Sequence, residues 1–166
     1  MMNLKIPNKV YKYLRRLTKK YPKIESIWFL GSRANNNFKD DSDCDFWVFA
    51  NKGIFNLLKR DKSFKQESKR NKIDTLIVYD GKNFEEPWPL LRNGRVIPKQ
   101  GLLSEWKWEP ISSFRANYEG TKEKTRVGPD GKPVFDIEQR LLRAFKIWGH
   151  KKTIPYGFVK SKRVRV

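Results

Sequence analysis

The chain has one cysteine, Cys44, and one histidine, His150. A single thiol excludes an internal disulfide, a CxxC redox pair and a cysteine-built zinc site. With one imidazole, zinc sites of the usual Cys/His kind and catalytic arrangements needing two histidines are excluded as well. Any metal must be a hard cation on oxygen ligands, which points to magnesium or manganese. Long apolar runs are missing too. The longest, such as residues 27–30 and 46–50, fall far short of the roughly 18 residues needed to cross a membrane. Residues 1–7 hold no apolar stretch of signal-peptide length. No GxxxxGK[ST] phosphate loop occurs, and no GxGxxG follows a strand. The expectation is a soluble, cytoplasmic protein with no membrane partner.

Acidic charge is the other scarcity. Eighteen Asp and Glu face 37 Lys and Arg, a net charge of +19 on 166 residues. Two stretches are purely basic: residues 5–23 hold eight Lys/Arg, and residues 150–166 hold six. Such a field attracts polyanions and speeds encounter with them, so nucleic acid is the first expected partner, with a solvated lysine-rich surface as the bland alternative. Hydrophobic residues at 38% and aromatics at 14% are enough for a folded core. The length fits one domain or one domain with a modest extension.

Local patterns divide the chain unevenly. Residues 8–21 read as a helix, with Asn8 as cap and Val10, Tyr13, Leu14 and Leu17 on one face. Residues 24–30 read as a strand running into Gly31-Ser32, 44–50 as a second strand and 73–79 as a third. Between the last two, residues 53–70 look helical in their first half. Beyond Lys82 the pattern weakens, because Pro87, Pro89, Pro98 and Pro110 break up residues 84–110. Pro129-Asp130-Gly131-Lys132 is a turn signal between two extended runs. Residues 136–149 read as a late helix, with Asp136 as cap and Ile137, Leu141, Leu142, Phe145 and Trp148 as its apolar stripe. The final residues, from about 150, read as a basic tail.

A dense acidic cluster, Asp40-Asp41-Ser42-Asp43-Cys44-Asp45, stands out in so basic a chain. Its D-x-D-x-D spacing suggests a calcium loop, but the sixth position is Phe46 instead of Gly and the twelfth is Lys52 instead of Glu. The remaining reading is a strand-borne metal site. On a strand, Asp43 and Asp45 share a face while Cys44 and Phe46 take the other. Like charges side by side are costly unless a cation compensates them. Asp74 opens the third strand in an apolar context, where a carboxylate also needs a partner. If the two strands are neighbours, three carboxylates converge, as two-metal phosphoryl transfer requires. Taken singly, each could be a turn residue, a cap or a lysine's partner.

Gly31-Ser32 follows a strand directly, and glycine lets backbone N–H groups approach a phosphate. A lone Gly-Ser is usually only a turn; the acidic strand that follows makes it informative. Leu30-Gly31-Ser32, then about ten residues, then Asp43-Cys44-Asp45-Phe46 resembles the signature of the DNA polymerase beta-like nucleotidyltransferase superfamily. The likeness is closest to the minimal nucleotidyltransferases, through Gly31-Ser32-Arg33-Ala34 and Ser42-Asp43-Cys44-Asp45, although Asn35-Asn36 stands where their common form has Arg-Gly. The resemblance covers residues 24–79. It implies an α/β (α+β) fold with a short mixed sheet flanked by helices, expected over residues 1–83; residues 84–166 fall outside the resemblance and are expected to form a helical or irregular extension packed on the same domain. It also implies an NTP donor, with ATP expected, and Mg²⁺ or Mn²⁺ as cofactor. By the same resemblance, Gly31 and Ser32 bind the triphosphate, Asp43 and Asp45 hold both metals, and Asp74 completes the set and helps deprotonate or orient the acceptor hydroxyl; Arg33, beside the glycine turn, is expected by its charge to join the phosphate contacts.

The acceptor is left to charge. A nucleic-acid hydroxyl, RNA favoured over DNA and a 3′ end as the form, agrees with +19. The alternatives are a protein acceptor, as for antitoxins that adenylylate a toxin, and a non-catalytic nucleic-acid-binding module. Trp106-Lys107-Trp108 could stack on bases or pack in the core. Lys39, Arg126 and the basic residues 151–152 and 160–165 are candidate phosphate contacts.

Overall fold

The computed structural model describes residue 4 and residues 6–36, 40–92 and 94–149, with side chains throughout except at 92, 121–125, 137 and 138. The basic tail, His150 and Lys39 lie outside the described residues.

Helix α1 spans Asn8–Lys20 and buries Val10, Tyr13, Leu14 and Leu17, the residues whose three- and four-residue spacing defines its apolar face. Pro7 occupies the cap position and Asn8 is the first helical residue, so no side chain caps this end. Strand β1 (Ser26–Leu30) runs straight into a four-residue helix α2 (Gly31–Ala34). Strand β2 is Cys44–Ala50. The following segment forms two helices, α3 (Lys52–Lys59) and α4 (Lys62–Arg70), each opened by a capping side chain: Asn51 accepts from the Ile54 N–H and Asp61 from the Phe64 N–H. Strand β3 is Ile73–Tyr79.

Beyond it come the short strands β4 (Asn83–Glu85), β5 (Leu91–Arg92), β6 (Arg95–Val96), β7 (Gln100–Leu102) and β8 (Glu109–Pro110), with a 3₁₀ turn at Leu103–Trp106. Two long strands are the last of the described elements, β9 (Arg115–Val127) and β10 (Pro133–Gly149). The expected turn joins them: the Gly131 N–H donates to the Gly128 carbonyl, and Gly131 takes φ +76.

Eight strands form one sheet in the order β7-β4-β3-β2-β1-β10-β9-β8, while β5 and β6 pair separately. The β2–β3 pair is parallel and every other pair antiparallel. The sheet is therefore mixed, as expected, but far larger than a short one. The reason lies in residues 133–149, which form a strand and not the expected helix. This strand pairs with β1 at one end and with β9 along its length. It is apolar on both faces: Leu142 and Ala144 join one hydrophobic cluster, Phe145 and Ile147 the other. A run that is apolar on both faces imitates a helical stripe, so periodicity alone does not separate the two. Leu141, part of the supposed stripe, is exposed, and Asp136 pairs with Arg126 across the hairpin instead of capping a helix.

The two sheet faces differ in what covers them. Helices α1, α3 and α4 bury Ile27, Phe29, Phe46, Val48 and Ile77 on one face. On the other, Trp47 lies at the centre of an aromatic slab, stacked on Phe84 at 5.3 Å and Trp108 at 5.4 Å and tilted against Trp106 at 5.1 Å. Trp106 and Trp108 thus pack as core partners. Among the described residues no helix is long and apolar enough to cross a membrane.

Asp61 fastens the helical layer. Its carboxylate caps α4 and accepts from the Tyr21 hydroxyl and from Lys20 Nζ at 2.6 Å. Burial disfavours its charge, but the hydrogen bonds from Lys20, Tyr21 and the Phe64 N–H outweigh that and hold its pKa below the usual carboxylate range. Asp61→Ala removes a cap worth about 1 kcal/mol and strips a buried hydroxyl of its partner, so a loss of about 2–3 kcal/mol is expected in denaturant unfolding. A loss under about 0.5 kcal/mol, the level of a neutral surface change, would contradict this role.

Candidate active site

Parallel pairing of β2 with β3 sets Asp45 directly opposite Asp74. Both belong to the sheet face that carries Trp47 and Leu76, away from the helices, because side chains alternate along each strand. On the other side of β2, Leu30 pairs with Asp45, which brings Gly31 against its carboxylate. Gly31 has φ +82, and a Cβ there would overlap Asp45 Oδ2. Glycine is required at this point for both backbone and space.

Asp45 carries a marked electrostatic signature. Burial pushes its pKa up to about 7, and the charges of Asp74 and then Asp43 push the same way, while Lys99 opposes them. Asp43 stands in the turn just ahead of β2 and is exposed. Its charge nevertheless acts on Asp45.

A cavity of about 410 Å³ opens over this pair, a size that suits a small-molecule ligand. Gly31, Ser32, Asp45 and Asp74 form its acidic and glycine-rich side, Trp47 and Trp106 its aromatic floor, and Lys99, Tyr118 and Arg140 the remainder of its wall. Asp43 is not in that wall. It lines a second cavity of about 170 Å³ together with Asp74, Lys69 and Lys72. Asp74 therefore borders both spaces. Among the described residues, no group of three His, Cys, Asp or Glu side chains gathers closely enough to hold a metal ion.

Arg33 is placed elsewhere. Its guanidinium is buried and donates to the carbonyls of Asp40 and Ser42, at 3.0 and 2.9 Å, so it holds the turn before β2. Cys44 is buried in the helical-side core, and burial pushes its thiol up to about 11, which makes it an inert packing residue.

Four contributors were not evident from the sequence. Tyr118 of β9 accepts a hydrogen bond from the Gly31 N–H at 3.0 Å. Burial raises the Tyr118 pKa, so the phenol stays protonated. Asn35 donates to the Gly31 carbonyl at 2.8 Å and pairs its amide with the Arg143 backbone, donating to the carbonyl at 3.1 Å and accepting from the N–H at 2.9 Å. The Asn35 that departs from the common family form is thus a clamp between the glycine turn and β10. Lys99 and Arg140 reach the cavity from a proline-broken segment and from the hairpin, and neither carries a local motif.

The family model for polymerase beta nucleotidyltransferases matches residues 12–99, just over half of the chain, and the chain belongs to that family. Its members generally use a nucleoside triphosphate and a divalent metal. No curated protein and no solved structure matches the chain. The matched span ends at Lys99, so Tyr118, Arg140 and the whole β9–β10 hairpin lie outside it.

The raised pKa of Asp45 has a consequence for stability. A carboxyl whose folded pKa lies above its unfolded value favours the fold at low pH, and that contribution is lost as pH rises from about 4 towards 7. Ionised Asp45 thus costs the metal-free fold on the order of 4 kcal/mol at pH 8. In the presence of a chelator, Asp45→Asn should melt higher than the parent at pH 8, with the gap narrowing towards pH 5. A gap that stays constant across this range in calorimetry would contradict the assignment.

Proposed function

We propose that this chain transfers a nucleoside monophosphate from an NTP, ATP foremost, to an acceptor hydroxyl, with Mg²⁺ or Mn²⁺ as cofactor. The observation that carries the proposal is the Asp45–Asp74 pair, set in register by parallel strands under the cavity that Gly31 and Ser32 border. The donor set is all oxygen, and Asp45 lies under charge that protein groups do not balance. Both features fit a hard divalent cation. Asp45 and Asp74 would hold it with the donor's phosphate oxygens, and Asp43 adds negative potential from the turn. When bound, such a cation neutralises charge on the transferring phosphoryl group and favours ionisation of the attacking hydroxyl.

The chain's own groups supply the rest. Gly31 and Ser32 border the triphosphate, the former by offering backbone without a side chain. Lys99 and Arg140 contribute positive charge opposite the carboxylates, where it stabilises the pyrophosphate leaving group. Trp106 gives the base an aromatic surface within the same cavity. Asp74 borders both cavities, which supports it as the group that accepts the proton of the acceptor hydroxyl. Net charge of +19 supports a nucleic-acid acceptor.

Incubation with NTP labelled at the α-phosphate, Mg²⁺, and RNA, DNA or protein acceptors should transfer label to one of them. Asp45→Ala and Asp74→Ala should each reduce the rate at least about 100-fold, equal to about 2.7 kcal/mol of barrier. Folded, active-concentration protein that labels nothing in any acceptor pool would overturn the proposal. In parallel, Mg²⁺ with ATP should raise the melting temperature of the parent and leave the Asp45→Ala/Asp74→Ala protein unchanged.

A further inference from the structure

Positive charge is not spread evenly over the fold. Helices α1 and α4 lie side by side on the helical face: the Tyr13 and Phe64 rings meet at 5.4 Å, Arg16 pairs with Glu67, and Lys20 with Asp61. Residues 8–23 and 61–72 together hold twelve Lys and Arg, all exposed, against only Asp61 and Glu67, both already engaged in those pairs. More than half of the molecule's +19 therefore lies on one helical layer. The amphipathic pattern of α1 explains the outward row, since its buried face is fully apolar or aromatic apart from Thr18.

This layer leads to the chemistry. Lys69 and Lys72, at the end of α4, line the 170 Å³ cavity with Asp43 and Asp74. At the start of α1, Lys9 is close enough for its charge to act on Cys44, the residue between Asp43 and Asp45. Both helices thus bring one end of the basic surface to the acidic turn.

We propose that the α1/α4 surface is a track for a single-stranded polynucleotide acceptor, whose terminal hydroxyl enters the smaller cavity beside Asp74. The inference rests on the transferase reading and names its acceptor's path. Helix α1 alone has 13 residues, about 20 Å at 1.5 Å per residue, enough for several successive phosphates. The cavity lies below the roughly 300 Å³ typical of pockets that enclose a whole small ligand, so it accepts a strand end and no base pair. An anionic membrane fits less well: among the described residues, none of the exposed large hydrophobic side chains belongs to α1 or α4, and interfacial binding needs such anchors. Transfer there joins the acceptor oxygen to the α-phosphorus of the NTP and releases pyrophosphate. The hydroxyl proton passes to Asp74.

The test uses the full chain and a short, end-labelled single-stranded oligonucleotide, as RNA and as DNA, titrated by fluorescence anisotropy over a salt series. The variant Lys12→Gln/Arg15→Gln/Lys19→Gln removes three exposed charges remote from the donor cavity. Its expected Kd rises about 10-fold or more near 0.1 M salt, and its salt slope falls by about two, at roughly 0.7 per lost contact. Binding of a fluorescent ATP analogue should be unchanged in it. A control, Lys82→Gln/Arg95→Gln/Lys132→Gln, removes the same charge elsewhere and should shift Kd less than about threefold, the long-range part of the field alone. Equal losses in the two variants, or parent protein that binds neither oligonucleotide, would overturn the track. So would an unaltered slope in the α1 variant. Oligonucleotide binding that follows the expected pattern without any nucleotidyl transfer would instead count against the transferase reading, so the two failures are distinct.

Discussion

Two carboxylates held opposite each other on adjacent parallel strands are the constraint around which this fold is arranged. Asp45 and Asp74 face each other because β2 and β3 pair in parallel with no slip. A slip of one residue would turn one of them into the helical core. Holding them there is unfavourable: burial first, and then the charge of Asp74, push the Asp45 carboxyl upward. Their neighbours follow from that cost. Gly31 has no side chain because the Asp45 carboxylate fills its space, and Lys99 supplies the opposing charge. The aromatic slab around Trp47 packs on the same sheet face as the two carboxylates.

The glycine turn is held from outside the family-matched span. Tyr118 takes its amide, and Asn35 links its carbonyl to the backbone of Arg143. A residue next to a catalytic-type turn would ordinarily be read for ligand binding. Here Asn35 and the buried Arg33 serve the scaffold, one tying the turn to β10 and the other fixing the carbonyls of Asp40 and Ser42. The β9–β10 hairpin is therefore part of the site's wall through Tyr118, Gly120, Arg140 and Leu142. The two faces of the sheet divide the charge as well: the carboxylates share a face with the aromatics, and the lysine-rich helices cover the opposite one.

Much of this was legible locally. Strands 44–50 and 73–79 stand where β-branched and aromatic runs place them, and α1 follows its apolar spacing. The spacing of Gly31-Ser32 and Asp43-Cys44-Asp45 identified the family that the family model matches. Residues 136–149 were not legible. Their apolar positions at 141, 142, 145 and 148 suit a helix, yet the backbone is extended because β1 and β9 offer it two partners and because both of its faces are covered near Ala144 and Ile147.

The sequence by itself determined the family, and with it nucleotidyl transfer as the reaction class: a glycine turn and acidic residues stand at a spacing that names it. Those are properties of residue type and short-range order, which a linear chain carries in full. Tertiary structure decided which residues share the site. Asp74 meets Asp45, Tyr118 meets Gly31, and Asn35 meets Arg143 only through pairings between distant segments. No short-range pattern encodes such a meeting, because each depends on strand order and register across the whole sheet.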